Sequence, residues 1–306
     1  MPRSAARSRA TYIGLLLAAL VAVVVAATTL ALRAETTVAA VDPPPQTLAP
    51  APPASANVFP ADAAPPPLAP AGEDLAASFA ALASSTDATI GVAIAPVGNG
   101  TAPLSFGAWK TGPAWSTIKV PLAIAALRAS PQLVGSAEAA ITRSDNAAAE
   151  ILWRSLGDPA TAAASVEAVL REGGDQTTVE SQKVRPEFSA FGQTVWPLVN
   201  QAVFLASAAC EPADQGVIEM MTRVVGDQRW GLGSSPGAAI KGGWGPTPGG
   251  NYEVRQMGIV DTPSGKASVA IGVAPASGAF GDGVSAVDVV ADWVTSHLAE
   301  LPSGSC

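Results

Sequence analysis

Three short polar clusters in this chain could do covalent chemistry: Ser116-x-x-Lys119, Ser144-Asp145-Asn146 and Lys241-Gly242-Gly243. In the first, the serine and lysine stand three residues apart and precede an apolar run, Val120 to Leu127. That spacing puts both polar groups on one face of a helix's first turn. Backbone N–H groups there have no intrahelical partner, and the helix dipole favours negative charge. A serine so placed can attack a carbonyl while a nearby N–H holds the oxyanion. A lysine one turn on can accept the proton, provided burial or a second cation pulls its pKa down. Each cluster taken singly also has an ordinary reading. Ser144-Asp145-Asn146 before an alanine-rich run makes a good helix N-cap. Lys241-Gly242-Gly243-Trp244-Gly245 reads as a strand end and a turn.

Composition narrows the chemistry further. A chain of 306 residues with 48% hydrophobic and 14% charged residues can build one large core. A net charge of -8 and a pI near 4.7 argue against a nucleic-acid partner. One histidine, His297, and two cysteines, Cys210 and Cys306, exclude a His/Cys zinc centre, and no metal or organic cofactor is expected. The sequence has no phosphate loop of the Walker type and no internal repeat.

The N-terminal residues 1–34 read as an export element. Arg3, Arg7 and Arg9 precede 23 uncharged residues, Ala10 to Leu32, and Arg33 closes them. At helical rise that run spans about 34 Å, enough to cross a bilayer with the body of the chain outside. The run is longer than an ordinary signal h-region, which favours an uncleaved membrane anchor. Cleavage near Val38-Ala39-Ala40 stays open as the alternative. Residues 35–72 form a proline- and alanine-rich linker, extended and semi-rigid, that holds residues 73–306 away from the membrane. Two cysteines in an exported domain favour a Cys210–Cys306 disulfide.

The elements that must position the clusters follow in order. Glu73 to Ser84 reads as a helix, and Thr89 to Pro96 and Leu104 to Trp109 as two strands. Helices are expected after Ser116, from Ser144 to Gly157, over Ala160 to Glu172, over Val195 to Ala208 and over Gln215 to Val225. Gly173 to Gly192 is a polar loop, long enough to suggest function. Ala238 to Lys241, Tyr252 to Asp261 and Lys266 to Ala274 read as strands, and Val284 to Leu298 as a closing helix. Strands from both ends of the chain give an α+β fold: a five-stranded, mostly antiparallel sheet flanked by terminal helices, with a helical half across a cleft.

Three motifs in this order, on these elements, resemble the serine β-lactamase and penicillin-binding-protein superfamily. The stretch A-A-I-T-R-S-D-N-A-A-A-E-I-L, residues 139–152, is most similar to class A β-lactamases. The resemblance covers about residues 73–300 and implies a role for each matching position. Ser116 would be the acylated nucleophile and Lys119 its proton acceptor. Ser144 would relay a proton to the leaving nitrogen, and the Asn146 amide would bind the substrate. Asp145 would brace the loop. Lys241 would reach Ser144 and the substrate carboxylate. The N–H groups of Ser116 and Trp244 would form the oxyanion hole, with Gly243 beside them. The expected partners are a β-lactam or a peptidoglycan peptide, and the membrane through the N-terminal segment.

Three departures qualify that resemblance. Ser116 and Ser144 are only 28 residues apart, so the helical half must be reduced. Gly242 stands where the family carries a hydroxyl residue, and Trp244 adds a bulky ring. Arg185-Pro186-Glu187-Phe188-Ser189 resembles the loop that carries the family's deacylating glutamate, but arginine stands at the base position. Glu180 and Glu187 remain candidates for the water base. Without a placed carboxylate an acyl-enzyme would persist. A catalytically silent binding module of the cell envelope is therefore the rival to an acyl-serine hydrolase.

Two other signals carry less. Gly233-Ser234-Ser235-Pro236-Gly237 matches a nucleophile-elbow pattern, but Pro236 lacks the N–H that such an elbow needs, so a turn is expected. His297 reads as an ordinary helix-end residue. Of the seven tryptophans, Trp244 is the one expected at the site, and the others in the core.

Overall fold

A computed structural model describes residues 72–98 and 102–306. The export segment and nearly all of the linker lie outside the described residues. Among the described residues, no helix is long and apolar enough to cross a membrane.

The described chain opens with α1 (Glu73–Ser85), then β1 (Ala88–Pro96), β2 (Leu104–Gly107) and the short β3 (Thr111–Pro113). A 3-10 turn over Trp115–Ile118 leads into α2 (Lys119–Ala129), followed by α3 (Val134–Thr142), α4 (Asn146–Ser155) and α5 (Pro159–Glu172). After a loop come β4 (Val195–Pro197), α6 (Leu198–Ala208) and α7 (Gln215–Thr222). The chain returns as β5 (Ala239–Pro246), β6 (Tyr252–Thr262) and β7 (Gly265–Pro275) and closes with α8 (Phe280–Ser296).

Five strands form one sheet in the order β2-β1-β7-β6-β5, with every pair antiparallel. Strands from the two ends of the chain meet at the β1–β7 pairing, where Val92 faces Ile271. One apolar layer lies between the sheet and the terminal helices, where Leu75 and Phe79 of α1 join Val287, Val290 and Val294 of α8. On the other face α6 packs on β1 and β7 through Leu198, Ala202, Ala93 and Ala270. Helices on both faces explain why the middle of β1, β6 and β7 is buried residue after residue instead of alternating. The third cluster fills the helical half with Ile118, Leu122, Leu152, Val166 and Leu170. Cys210 and Cys306 are joined in a disulfide that ties the C-terminal tail beside α6, and Gly304 bridges to Lys266.

Several boundaries differ from the expectations. The strand expected to stop at Lys241 runs on to Pro246, paired throughout with β6. The glycines expected to make a turn instead let the strand run close against its neighbours. The helix expected from Val195 begins at Leu198, because 195–197 pair with β3. Helix α3 was not anticipated: it follows the Pro131–Leu133 turn, and its apolar residues are mostly alanines, which give a weak periodic signal. With α2 and two 3-10 turns it spans the interval between Ser116 and Ser144. Helix α8 runs Phe280–Ser296 in place of Val284 to Leu298.

Candidate active site

Edge strand β5 forms one wall of the cleft. Side chains alternate along a strand, so Lys241, Gly243 and Gly245 face the helical half while Gly242 and Trp244 face the other way. That alternation decides what each glycine permits. A Cβ on Gly243 would lie 2.8 Å from the Ser116 nitrogen and 3.0 Å from the Thr117 nitrogen, both backbone atoms that cannot yield. Only glycine lets the strand approach the start of the 3-10 turn so closely. On the opposite face, a Cβ on Gly242 would meet the Trp230 indole at 2.8 Å. A hydroxyl residue has no room there. The Trp244 ring is turned by the same alternation onto Phe280 and Trp230, with centroids 5.2 and 6.3 Å away, although Trp244 still borders the cleft.

The backbone at the cleft is locally strained. Trp115 and Ser144 are the two non-glycine residues with positive φ among the described residues, at 48° and 56°. Each sits beside or within a motif. Such conformations cost on the order of 1–3 kcal/mol and persist where the surroundings enforce them. At Ser144 the enforcing groups are two lysines. Lys119 Nζ donates to the Ser144 carbonyl at 2.6 Å and to Asn146 Oδ1 at 2.7 Å. Lys241 Nζ donates to Ser144 Oγ at 2.9 Å and to the Gly242 carbonyl at 2.7 Å, and Lys119 Nζ approaches the same hydroxyl at 3.4 Å. With its lone pairs taken, the hydroxyl has its own proton free to pass to another group.

Asp145 caps α4, accepting from the Ala148 N–H at 2.9 Å. The cap reading of Ser-Asp-Asn is borne out and is compatible with the chemical one: the cap starts the helix at Asn146 and adjoins the turn at Ser144. Burial draws the Lys119 ammonium down to about 8, with the Asp145 charge opposing. Burial pulls Lys241 well below the ordinary lysine range, and the neighbouring Lys119 charge pulls it further. Two cations around one hydroxyl, with no carboxylate in contact, thus favour a neutral amine near neutral pH.

Ser116, Lys119, Asn146 and Trp244 line one cavity of about 360 Å³, together with Trp115, Glu150, Phe188 and Ser189. Lys241 is fully buried behind them. Glu187 also borders this cavity, but Arg185 holds it at 3.0 Å, and its carboxyl lies below the usual range through its own backbone amide and that guanidinium. Glu180 lies elsewhere. It borders a second, more apolar cavity of about 620 Å³ that lacks Ser116, and it accepts from the Gln182 N–H. Arg185 turns from the cleft to the Pro246 carbonyl, with the Phe188 ring beneath it at 4.4 Å.

The loop that carries Arg185 to Ser189 is anchored at its root. Buried Asp175 accepts from Trp196 Nε1 at 2.6 Å, Asn200 Nδ2 at 3.0 Å and the Thr177 N–H at 2.8 Å, while burial pushes its carboxyl up. Sequence reasoning missed Glu150, Trp115 and Ser189 as cleft residues. Glu150 was within reach of that reasoning, because it stands four residues after Asn146 on one helical face. Ser235 lies in a surface turn, and His297 bonds Ser78 and the Trp293 carbonyl, so the elbow-like sequence is assembled into nothing.

Comparison with solved structures places this architecture. A class A β-lactamase from Mycobacterium abscessus superposes with a TM-score of 0.59 at 15% identity, covering 72% of this chain and 98% of that one. A β-lactamase from Xanthomonas campestris gives 0.57 at 18% identity, over 73% of this chain and 97% of its own. The ancestral class A β-lactamase reconstructed for Gram-negative bacteria gives 0.56 at 18% identity, over 72% and 99%. The chain has the fold of class A β-lactamases. Neither a protein-family model nor a curated protein sequence matches it.

Proposed function

We propose that this protein is an extracytoplasmic serine acyl-enzyme acting on β-lactams or on peptides ending in D-Ala-D-Ala. The observation that carries the reading is the pair of lysines closing on Ser144, one of which, Lys119, lines a cavity with Ser116 and Asn146, in a fold shared with class A β-lactamases. Lys119, as the free amine, takes the Ser116 proton while Ser116 Oγ bonds to the carbonyl carbon. The Ser116 N–H, held against Gly243, and the Trp244 N–H receive the oxyanion. Ser144 passes its proton to the leaving nitrogen and recovers one through the lysines. Asn146 orients the acyl amide.

Export and membrane attachment rest on the basic and apolar N-terminus, and the disulfide suits an oxidising compartment. The second reading, a silent envelope-binding module, is favoured by one observation: position 242 carries no hydroxyl to help hold a substrate carboxylate, and Trp230 leaves no room for one.

The test is intact-mass spectrometry of the full chain in detergent with a penicillin, beside Ser116→Ala, and a nitrocefin turnover assay. A covalent adduct on the wild type, absent from Ser116→Ala, is the expected result. Wild-type protein that never acylates hands the case to the binding module.

A further inference from the structure

We propose that Glu150 is the general base for deacylation, supplied by helix α4 instead of the loop that faces it. The inference rests on the acyl-serine reading and adds the step for which that reading has no carboxylate. Four observations converge on Glu150. It lies on the helical face of Asn146, one turn on, and lines the same cavity as Ser116 and Lys119. Its Oε1 accepts from Ser189 Oγ at 2.7 Å, which fixes the carboxylate between helix and loop. Among the described residues its Oε2 has no partner, so one oxygen stays available to a water. The other carboxylates near the site are committed. Glu187 is paired with Arg185, Asp145 caps α4, and Glu180 lies in the second cavity.

Arginine at position 185 becomes intelligible on this view. Its guanidinium is spent on the Pro246 carbonyl, Glu187 and the Phe188 ring, which fastens the loop to β5. The loop then provides Ser189 as the positioning residue, and the helix provides the base.

The step balances as follows. Glu150 Oε2 takes a proton from a water whose oxygen bonds to the acyl carbon. The tetrahedral intermediate collapses with cleavage of the bond between that carbon and Ser116 Oγ. The proton held by Glu150 returns to Ser116 Oγ through Lys119, so one water is consumed and the free acid leaves.

The experiment is a time course of the penicillin adduct on the full chain by intact mass, for wild type, Glu150→Gln and Ser189→Ala. Glutamine keeps the shape and an acceptor for Ser189 but cannot take the proton. A general base contributes about 10²–10⁴-fold, so the Glu150→Gln adduct should outlast the wild type's at least about 100-fold while forming at an unchanged rate. Formation of the adduct itself shows that the variant has folded. Hydroxylamine, a nucleophile that needs no base, should release the adduct from Glu150→Gln. The Ser189→Ala adduct should fall between the two. An adduct on Glu150→Gln that decays at the wild-type rate overturns the proposal. So does a wild-type adduct that never decays, although acylation at Ser116 then stands. No adduct on any variant overturns the acyl-serine reading, and this inference with it.

Discussion

Lys241 and Arg255 are buried cations on the same face of one sheet, with Lys119 at the start of α2 beside Lys241, but their surroundings treat the lysines and the arginine oppositely. Arg255 stands on β6 directly opposite Gly243. Its guanidinium donates to the carbonyls of Gly112, Pro113 and Trp196 and to Gln201 Oε1, with the Trp109 ring 5.3 Å away. Burial draws it down to about 9, the Glu253 charge opposes, and it remains a cation at neutral pH. Four fixed acceptors make this charge a fastener for the segment that leads into Ser116. The two lysines have fewer fixed acceptors, share the Ser144 hydroxyl and neighbour one another. Where four fixed acceptors surround a charge, the charge is structure. Where burial, joined at Lys241 by the neighbouring Lys119 charge, lowers a lysine with fewer fixed acceptors, the proton becomes transferable.

Substitutions on the two sides test that contrast. Arg255→Met should leave three carbonyls and Gln201 without a donor and cost about 3–5 kcal/mol, read as a shifted urea midpoint. If Arg255→Met unfolds at the wild-type midpoint, the fastener account fails. Lys119→Met leaves only the Ser144 carbonyl and Asn146 Oδ1 without a donor, so it should cost less, about 1–2 kcal/mol, while slowing acylation about 10²–10⁴-fold. Equal losses of stability from both variants would erase the distinction.

A smaller effect sharpens the role of the strand between them. Gly243→Ala drives a Cβ into the backbone nitrogens of Ser116 and Thr117 and should cut acylation by about 10²-fold while costing about 1–3 kcal/mol of stability. Retention of the wild-type acylation rate would remove Gly243 from the oxyanion site.

The mildest test uses pH alone. Because burial lowers Lys119 to about 8, the free-amine fraction grows as pH rises and saturates above that value. Single-turnover acylation should therefore climb about tenfold per pH unit below 8 and level off above it. A flat profile between pH 6 and 8 would mean that Lys119 is not the acceptor.

Much of the fold could be read before any coordinates, and the reasons are local. The apolar runs of β1, β6 and β7 have strand length and end in turn residues, and α5 carries both an Asp158 cap and a first-turn proline. The cleft was readable in part because Ser116, Lys119 and Ser144 each lie at an element boundary. What escaped was set by neighbours distant in sequence. Glycines 242, 243 and 245 look like a turn until Ser116, Trp230 and Trp115 are packed against them. Residues 195–197 look helical until β3 arrives to pair with them.

By itself the sequence determined the element types, the antiparallel return of the chain to its starting sheet, and three motifs whose chemistry follows from residue type. Periodicity, caps and turn residues act over a few positions, so a linear chain can display them. The tertiary structure alone decided which cations are fixed and which can give up a proton, and that Arg185 turns away from the cleft while Glu150 faces it. Those outcomes depend on distances between groups tens of residues apart, and on how much water the packed chain leaves around them.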